Sequence, residues 1–373
     1  MEGLPEALLA EIVKRVTKTS DRNSLSRVSK QLCTIEAEHR DAIHVGCGLN
    51  PRTDALVSLF SRFCSYIDDI GLYYLAEIEN LRSLRLNHAP AVTSTGILRV
   101  AVGCRYLSVL HLVDCTAVDK MKWLEYLGRY GSLRELVVKD CDGICQYDLL
   151  EFGPGWANLQ KFEFEINGNY VEMGAHDSSY VSGYPYSYDI CCDNLKDLRL
   201  AHIITQPEIG LRFLLGKCKA LETLYLEYVI GLSESEMIAL FQNCSDLKSI
   251  SLRLIPLHCE DYEFRTALTD VSLKALALSC PMLQVVELTF AFCSVRRPTD
   301  IGFTQEGIVA LIQSCPIRAL VLNGATIFRD EGMKGLSSSQ FLETLELVHC
   351  KSITDAGMDL IAQAPCLSHL TLR

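Results

Sequence analysis

The sequence predicts an α/β solenoid, a horseshoe with a concave parallel β-sheet and convex helices, preceded by a small helical unit at the N-terminus. Three observations carry that expectation. The phrase L-x-x-L-x-L, or a close relative, occurs eleven times between Leu81 and Leu372. Its first four copies begin at Leu81, Leu107, Leu133 and Leu159, a constant step of 26 residues. Between copies, apolar residues recur at helical spacing. A fixed step with one strand and one helix per unit means that each coil buries its apolar face only against its neighbours, so the core grows lengthwise.

The first 46 residues stand outside this period. Leu4-Pro5-Glu-Ala-Leu8-Leu9-Ala-Glu-Ile12-Val13-Lys-Arg-Val16 is amphipathic and opens on a proline, which suits the first turn of a helix. A polar break at Thr17–Asp21 precedes a second helix, Ser24–Leu32, and Ile35 to Arg40 continue as a third. So few residues bury little apolar surface alone, and the unit is expected to lean on the first repeat and on a partner. Residues 47–63 follow as a linker or first repeat helix, with Leu56, Leu59, Phe60 and Phe63 at helical spacing. That helix runs straight into Cys64 with no strand phrase between them, so an internal segment is expected to be missing there. The chain also stops on a strand at Leu370–Leu372, where a capping unit is expected.

The solenoid is read over 64–373, about 11 strands, with later copies at Leu195, Leu221, Leu247, Leu283, Ile317, Leu342 and Leu367. One unit shows the logic. In Leu342-Glu-Thr-Leu345-Glu-Leu347, alternation sends Leu345 and Leu347 inward and leaves Thr344, Glu346 and Val348 on the other face. Ile353-Thr354-Asp355-Ala-Gly357-Met358 then opens a helix that Thr354 or Asp355 can cap. The same turn recurs at Asp68–Leu72, Thr269–Leu273 and Asp330–Met333. Cys115, Cys141, Cys293 and Cys350 follow strand phrases, whereas Cys104, Cys218, Cys244, Cys280 and Cys315 precede them. Cysteine at such ladder positions acts as a small buried hydrophobe, and the 17 thiols are expected to stay free. No Cys/His set has zinc-site spacing.

This pattern resembles the cysteine-containing leucine-rich repeats of F-box proteins. The N-terminal unit resembles an F-box, through Leu4-Pro5, Leu8-Leu9, Ile12 and the stretch Asp21-Arg22-Asn23-Ser24-Leu25-Ser26-Arg27-Val28-Ser29-Lys30. With Ile35-Glu36 and Arg40, it is similar to the F-box of the plant auxin and jasmonate receptors. Two positions depart from that pattern: Ser29 where the family usually has cysteine, and Leu32 near its usual aromatic. The resemblance implies the substrate-recognition subunit of a Skp–cullin–F-box ubiquitin ligase. Leu4, Pro5, Leu8, Leu9, Ile12, Leu25 and Val28 would contact the Skp adaptor and, through it, the cullin, while the repeats hold a target protein. A hormone-type small-molecule receptor and a repeat scaffold without ubiquitin function are the alternatives. The receptors hold an inositol polyphosphate on a basic cluster; that cluster does not map onto this chain residue by residue, so no cofactor is expected.

Target-binding candidates come from interval lengths. The intervals beginning at Leu159, Leu247 and Leu283 are 36, 36 and 34 residues long. Their extra length, at 166–192, 254–268 and 290–304, is expected on one rim of the horseshoe. The first insertion carries Tyr170, Tyr180, Tyr184, Tyr186 and Tyr188, a residue type enriched at binding surfaces. The third carries Arg296 and Arg297, which suit bidentate recognition of a carboxylate or phosphate. Along the concave face, Arg85, His111, Lys139, Arg199 and Arg253 are interrupted by Glu163, Glu165 and Glu227, so no continuous basic patch is read. A net charge of −11 disfavours nucleic-acid backbone binding. Neither a secretory signal nor a membrane-spanning run is seen, so a soluble protein of nucleus or cytoplasm is expected. No catalytic constellation is present: Gly210–Lys217 only superficially matches a phosphate loop, and the nine histidines lack a nucleophile spacing.

Overall fold

The computed structural model describes residues 6–16, 24, 28, 32, 42–45, 67–78, 80–119, 122–166, 191–203, 212–229, 231–254, 268–290 and 304–373. Among them is one twelve-stranded parallel sheet whose strands follow chain order. The strands are β1 (Ala42–Val45), β2 (Ser83–Asn87), β3 (Val109–Val113), β4 (Glu135–Lys139), β5 (Lys161–Glu165) and β6 (Asp197–Ala201). They continue as β7 (Thr223–Glu227), β8 (Ser249–Leu254), β9 (Val285–Phe290), β10 (Ala319–Asn323), β11 (Thr344–Val348) and β12 (His369–Leu372).

Every phrase read in the sequence from Leu81 onward lies on one of these strands, in the register its leucines demand. Leu84 sits beside Leu110, Leu110 beside Leu136, and Leu136 beside Phe162. Those residues are fully or almost fully buried in one continuous core that runs from Leu72 to Ile361. Each contributes roughly 1.5–3 kcal/mol of burial free energy, which makes neighbouring coils cooperative.

The sheet begins earlier than the period suggests. β1 pairs with β2 from Ala42 opposite Ser83 to Val45 opposite Leu86. The repeat array therefore starts inside the segment read as helical, and the solenoid boundary at residue 64 is corrected to residue 42. The reason for the misreading is local. In sequence, Arg40 stands two residues before β1 where Leu81 stands two residues before β2, so the phrase lacks its leading leucine. No strand intervenes between β1 and β2 in the sheet, so the pairing is continuous across the junction where the sequence suggested a gap.

Ten α-helices are described: α1 (Glu6–Arg15), α2 (Asp69–Leu75), α3 (Ser94–Gly103), α4 (Trp123–Tyr130), α5 (Arg212–Leu215), α6 (Glu234–Asn243), α7 (Asp270–Ser279), α8 (Gln305–Ser314), α9 (Asp330–Ser337) and α10 (Asp355–Ile361). The caps are those expected from sequence at α2, where the Asp68 side chain accepts from Ile70 and Gly71 N–H, and at α10, where Thr354 accepts from Ala356 N–H. The aspartate after the cap has a further task. Asp69 accepts the N–H of Thr93 at 2.8 Å, Asp270 that of Thr304 at 2.9 Å, and Asp330 that of Thr354 at 2.8 Å. Each thereby ties its own helix to the next coil's cap.

One coil departs from the helical plan. After β4 the convex side is a 3-10 segment, Asp148–Asn158, kinked at Gly153 (φ 50°) and followed by Pro154, which cannot donate an N–H to a helix. Trp156 and Phe152 on this segment are both buried in the continuous core. No helix among the described residues is long and apolar enough to cross a membrane.

The cysteine ladder is as the spacing implies. Cys115, Cys141 and Cys350 direct their thiols at carbonyls of the preceding coil, those of Leu86, Leu112 and Leu322. In the second ladder Cys244 donates to the Cys218 carbonyl at 3.0 Å and Cys280 to that of Cys244 at 3.2 Å. Burial pushes the Cys244 and Cys280 thiols up to about 12, which keeps them protonated and poorly nucleophilic. Cys293 lies outside the described residues.

Candidate functional site

Alternation along the strands places one row of side chains on the concave face, and neighbouring coils bring rows 24 to 26 residues apart into contact. Glu135 is the first hub. It accepts from Lys161 at 2.9 Å and bonds His111 at 2.8 Å, while Arg85 stands 4.0 Å away. Arg85 Nε has no hydrogen-bond partner among the described residues. Lys139 bridges Glu163 at 2.9 Å and Glu165 at 2.8 Å. Arg199 Nε reaches Asp197 at 3.1 Å.

The second hub is Glu227. Tyr225 donates its hydroxyl to this carboxylate, and Arg253 Nη1 donates to it at 2.9 Å. The Arg253 guanidinium also lies 5.8 Å from the Tyr225 ring centroid, within cation–π range. Burial alone would raise the Glu227 carboxyl, but the Tyr225 and Arg253 contacts outweigh it and hold the group below the usual range. Ser251 meets Glu287 at 3.0 Å in the next strand.

All eight concave residues expected from sequence lie on the described strands. Three essential partners were not read: Glu135, Lys161 and Asp197. Each is the first residue of its strand, on the same face as the residue that sequence analysis singled out there, two alternation steps before Lys139 and one before Glu163 and Arg199. Each was legible as a member of the same outward-facing set.

The C-terminal ends of the strands form a rim. His88, Asp114, Asp140, His202, Tyr228 and His349 follow their strands in the left-handed conformation, with φ of 51–61°. Each backbone N–H caps the strand of the next coil, as in His202 to the Glu227 carbonyl and Tyr228 to that of Arg253, both 2.8 Å. The three stretched intervals leave from this rim, after β5, β8 and β9, where that tight turn is absent from the described residues. Between their points of departure stand His202 and Tyr228, with ring centroids 5.2 Å apart. The insertion candidates themselves, Tyr170, Tyr180, Tyr184, Tyr186, Tyr188, Arg296 and Arg297, lie outside the described residues.

Residues 338–362 match the Leucine Rich repeat family. The whole chain also superposes on a chain of the yeast Rad7–Elc1 complex, with a TM-score of 0.55, 17% identity, and coverage of 100% of this chain and 87% of that one. A chain of the TLR13–ssRNA13 complex matches with a TM-score of 0.44 and 14% identity over 79% of this chain and 43% of that one. The fold is a leucine-rich repeat solenoid.

At the other end, α1 divides the adaptor candidates. Leu9 is 2% exposed and joins Val13 and Leu32 in a small separate core, so it lies behind the surface that the sequence reading placed it on. Ile12 and Val28 are 44% and 59% exposed. A helix of this period shows one apolar face; Leu9 and Val13, four apart, take the inner side and leave Ile12 at the margin. Leu4, Pro5, Leu25 and the Leu8 side chain lie outside the described residues.

Asp140 gives a pH-dependent prediction. Burial at the rim, together with the nearby Glu165 carboxylate, pushes its carboxyl from 3.8 up to about 6. The native state therefore holds this proton more tightly than the unfolded chain. Stability associated with it is complete below pH 3.8 and is lost as pH rises through about 6. Asp140→Asn keeps the shape and tolerates the left-handed backbone. It is expected to raise the unfolding free energy at pH 7.5 by about 1–2 kcal/mol, after allowance for solvent screening, with no gain at pH 3.5. Urea titrations at the two pH values check this, and an equal gain at both would exclude the titration.

Proposed function

We propose that this chain is the substrate-recognition subunit of a Skp–cullin–F-box ubiquitin ligase, in which the N-terminal helices hold the adaptor and the solenoid holds a target protein. The observation that carries this reading is the N-terminal unit itself. Its Leu-Pro opening and Asp-Arg-Asn-Ser stretch are similar to an F-box, and Leu9, Val13 and Leu32 form an inner core of their own while Ile12 and Val28 stay exposed. An exposed apolar pair beside a formed core is what an adaptor contact requires. The yeast Rad7–Elc1 complex offers a precedent for a similarly folded chain in a two-protein assembly. Ubiquitin transfer would then follow from proximity, the repeats keeping a target lysine near the charged enzyme, with no chemistry from this chain.

Capture of purified Skp adaptor by the full chain tests the reading. Because Leu9 is internal, the informative substitutions are at the exposed positions. Ile12→Asp/Val28→Asp is expected to leave the thermal midpoint within a degree or two and weaken adaptor binding at least ten-fold. Failure of the wild-type chain to bind the adaptor, or equal binding by the double variant, would overturn the assignment.

A further inference from the structure

The concave face is not electrically mixed at its surface, although its sequence is. Arg253 is 38% exposed above a Glu227 that is 8% exposed, and Arg199 is 41% exposed above Asp197 at 23%. Lys161 and Arg85 are likewise more exposed than the Glu135 they share, and Lys139 more than Glu163 or Glu165. The histidines are the exceptions, His111 lying slightly deeper than Glu135 and His202 level with Glu165. The chain carries a net charge of −11, yet here carboxylates form a lower layer and cations an upper one. The lower layer fixes the upper, so little side-chain freedom remains to be lost on binding.

From this layering the geometry points to an acidic segment of a partner protein as the occupant of the concave strip from β2 to β8. Three features fit that chemistry. A guanidinium has five N–H donors. The bonds that hold Arg199 and Arg253 in place use Nε and Nη1 respectively, which leaves donors on each for an incoming carboxylate. The strip crosses seven strands at about 4.8 Å spacing, roughly 29 Å in all, a span covered by about nine extended residues. It ends where Glu287 of β9 presents a carboxylate paired with Ser251, with no ion pair to a cation among the described residues. An extended protein segment suits this strip because its side-chain carboxylates, carried on one face at every second residue, can meet separate cations on successive strands. The inference rests on the proposed role of the solenoid in holding a target, and it names that target's recognition chemistry.

The test uses the full chain and a labelled ten-residue oligoglutamate, with oligoglutamine and oligolysine of equal length as comparators, read by fluorescence anisotropy. Oligoglutamate is expected to bind at least ten-fold more tightly than either comparator and to weaken as salt rises. Arg199→Gln/Arg253→Gln and, separately, Lys139→Gln/Lys161→Gln should each lower that affinity five-fold or more. Arg329→Gln/Lys334→Gln, which removes the same charge from the exposed start and body of α9, should leave it unchanged. Glutamine keeps a donor for the underlying carboxylate, and two separate pairs guard against one variant failing to fold. Equal binding of oligoglutamine would overturn the inference, as would an equal loss in the α9 pair. So would tight binding of inositol hexakisphosphate or a single-stranded oligonucleotide with none of oligoglutamate. Adaptor capture is read separately: its failure with peptide binding intact removes the ligase reading alone, and the converse removes the acidic strip alone.

Discussion

Replacing Trp156 by alanine is expected to cost about 3–5 kcal/mol, a large share of what holds the middle of the solenoid together. Trp156 is fully buried where the 3-10 segment replaces a convex helix. Its ring meets Phe162 edge-on at 4.7 Å and Phe152 at 5.8 Å, so one side chain joins the convex layer to β5. A solenoid has only nearest-neighbour contacts, so a cavity here weakens the coupling between the coils on either side. Urea unfolding followed by far-UV circular dichroism should show a lower midpoint and a shallower slope as the two halves lose cooperativity. Trp156→Phe is a sharper check. The indole Nε1 has no hydrogen-bond partner among the described residues, so phenylalanine removes a buried unpaired donor while keeping an aromatic ring. It should cost far less than alanine; equal costs would mean the aromatic contacts are not the source of the stability.

The second large effect is expected at Gly128 in α4. A Cβ there would lie 2.0 Å from the Phe152 carbonyl oxygen, a backbone atom that cannot swing aside. Gly128→Ala should therefore force α4 and the 3-10 segment apart, at a cost of about 3 kcal/mol. Gly216→Ala is the matched control, since no described residue lies within 4 Å of its added Cβ, and it should be neutral. Thermal midpoints of the two variants decide the matter: a neutral Gly128→Ala would mean that the helices do not approach so closely. With Trp156→Ala in the same chain the loss should fall short of additive, because both changes act on Phe152.

Much of the fold was legible because a strand's buried set repeats every second residue and the coil repeats about every 26. Leu84, Leu110 and Leu136 could be placed inward, and in register, before any coordinates. Thr354 could be placed at a helix start because its hydroxyl answers an orphan N–H in its own turn. Where the reading failed, the deciding contact was not local. β1 was missed because Arg40 stands at the phrase's leading position, while the register that reveals the strand comes from β2, some forty residues on. Leu9 looked like a surface residue until Leu32 covered it. The 3-10 segment has a visible cause in Gly153-Pro154, yet a helix-period search passes over it because Leu149, Leu150 and Phe152 are still buried.

The candidate site divides along the same line. The sequence by itself determined which residues face the concave side, since alternation assigns faces from chain position alone. It could not assign depth. In sequence, glutamates interrupt the basic residues; in space, Glu227 lies under Arg253 and Glu163 under Lys139. Only the stacking of coils decided this, by setting a carboxylate from one strand beside a cation from the next. The long arginine and lysine stems then carry their charge past the shorter acidic side chains toward solvent. An alternating line of charge becomes a layered one, and the layer on top is what a partner meets.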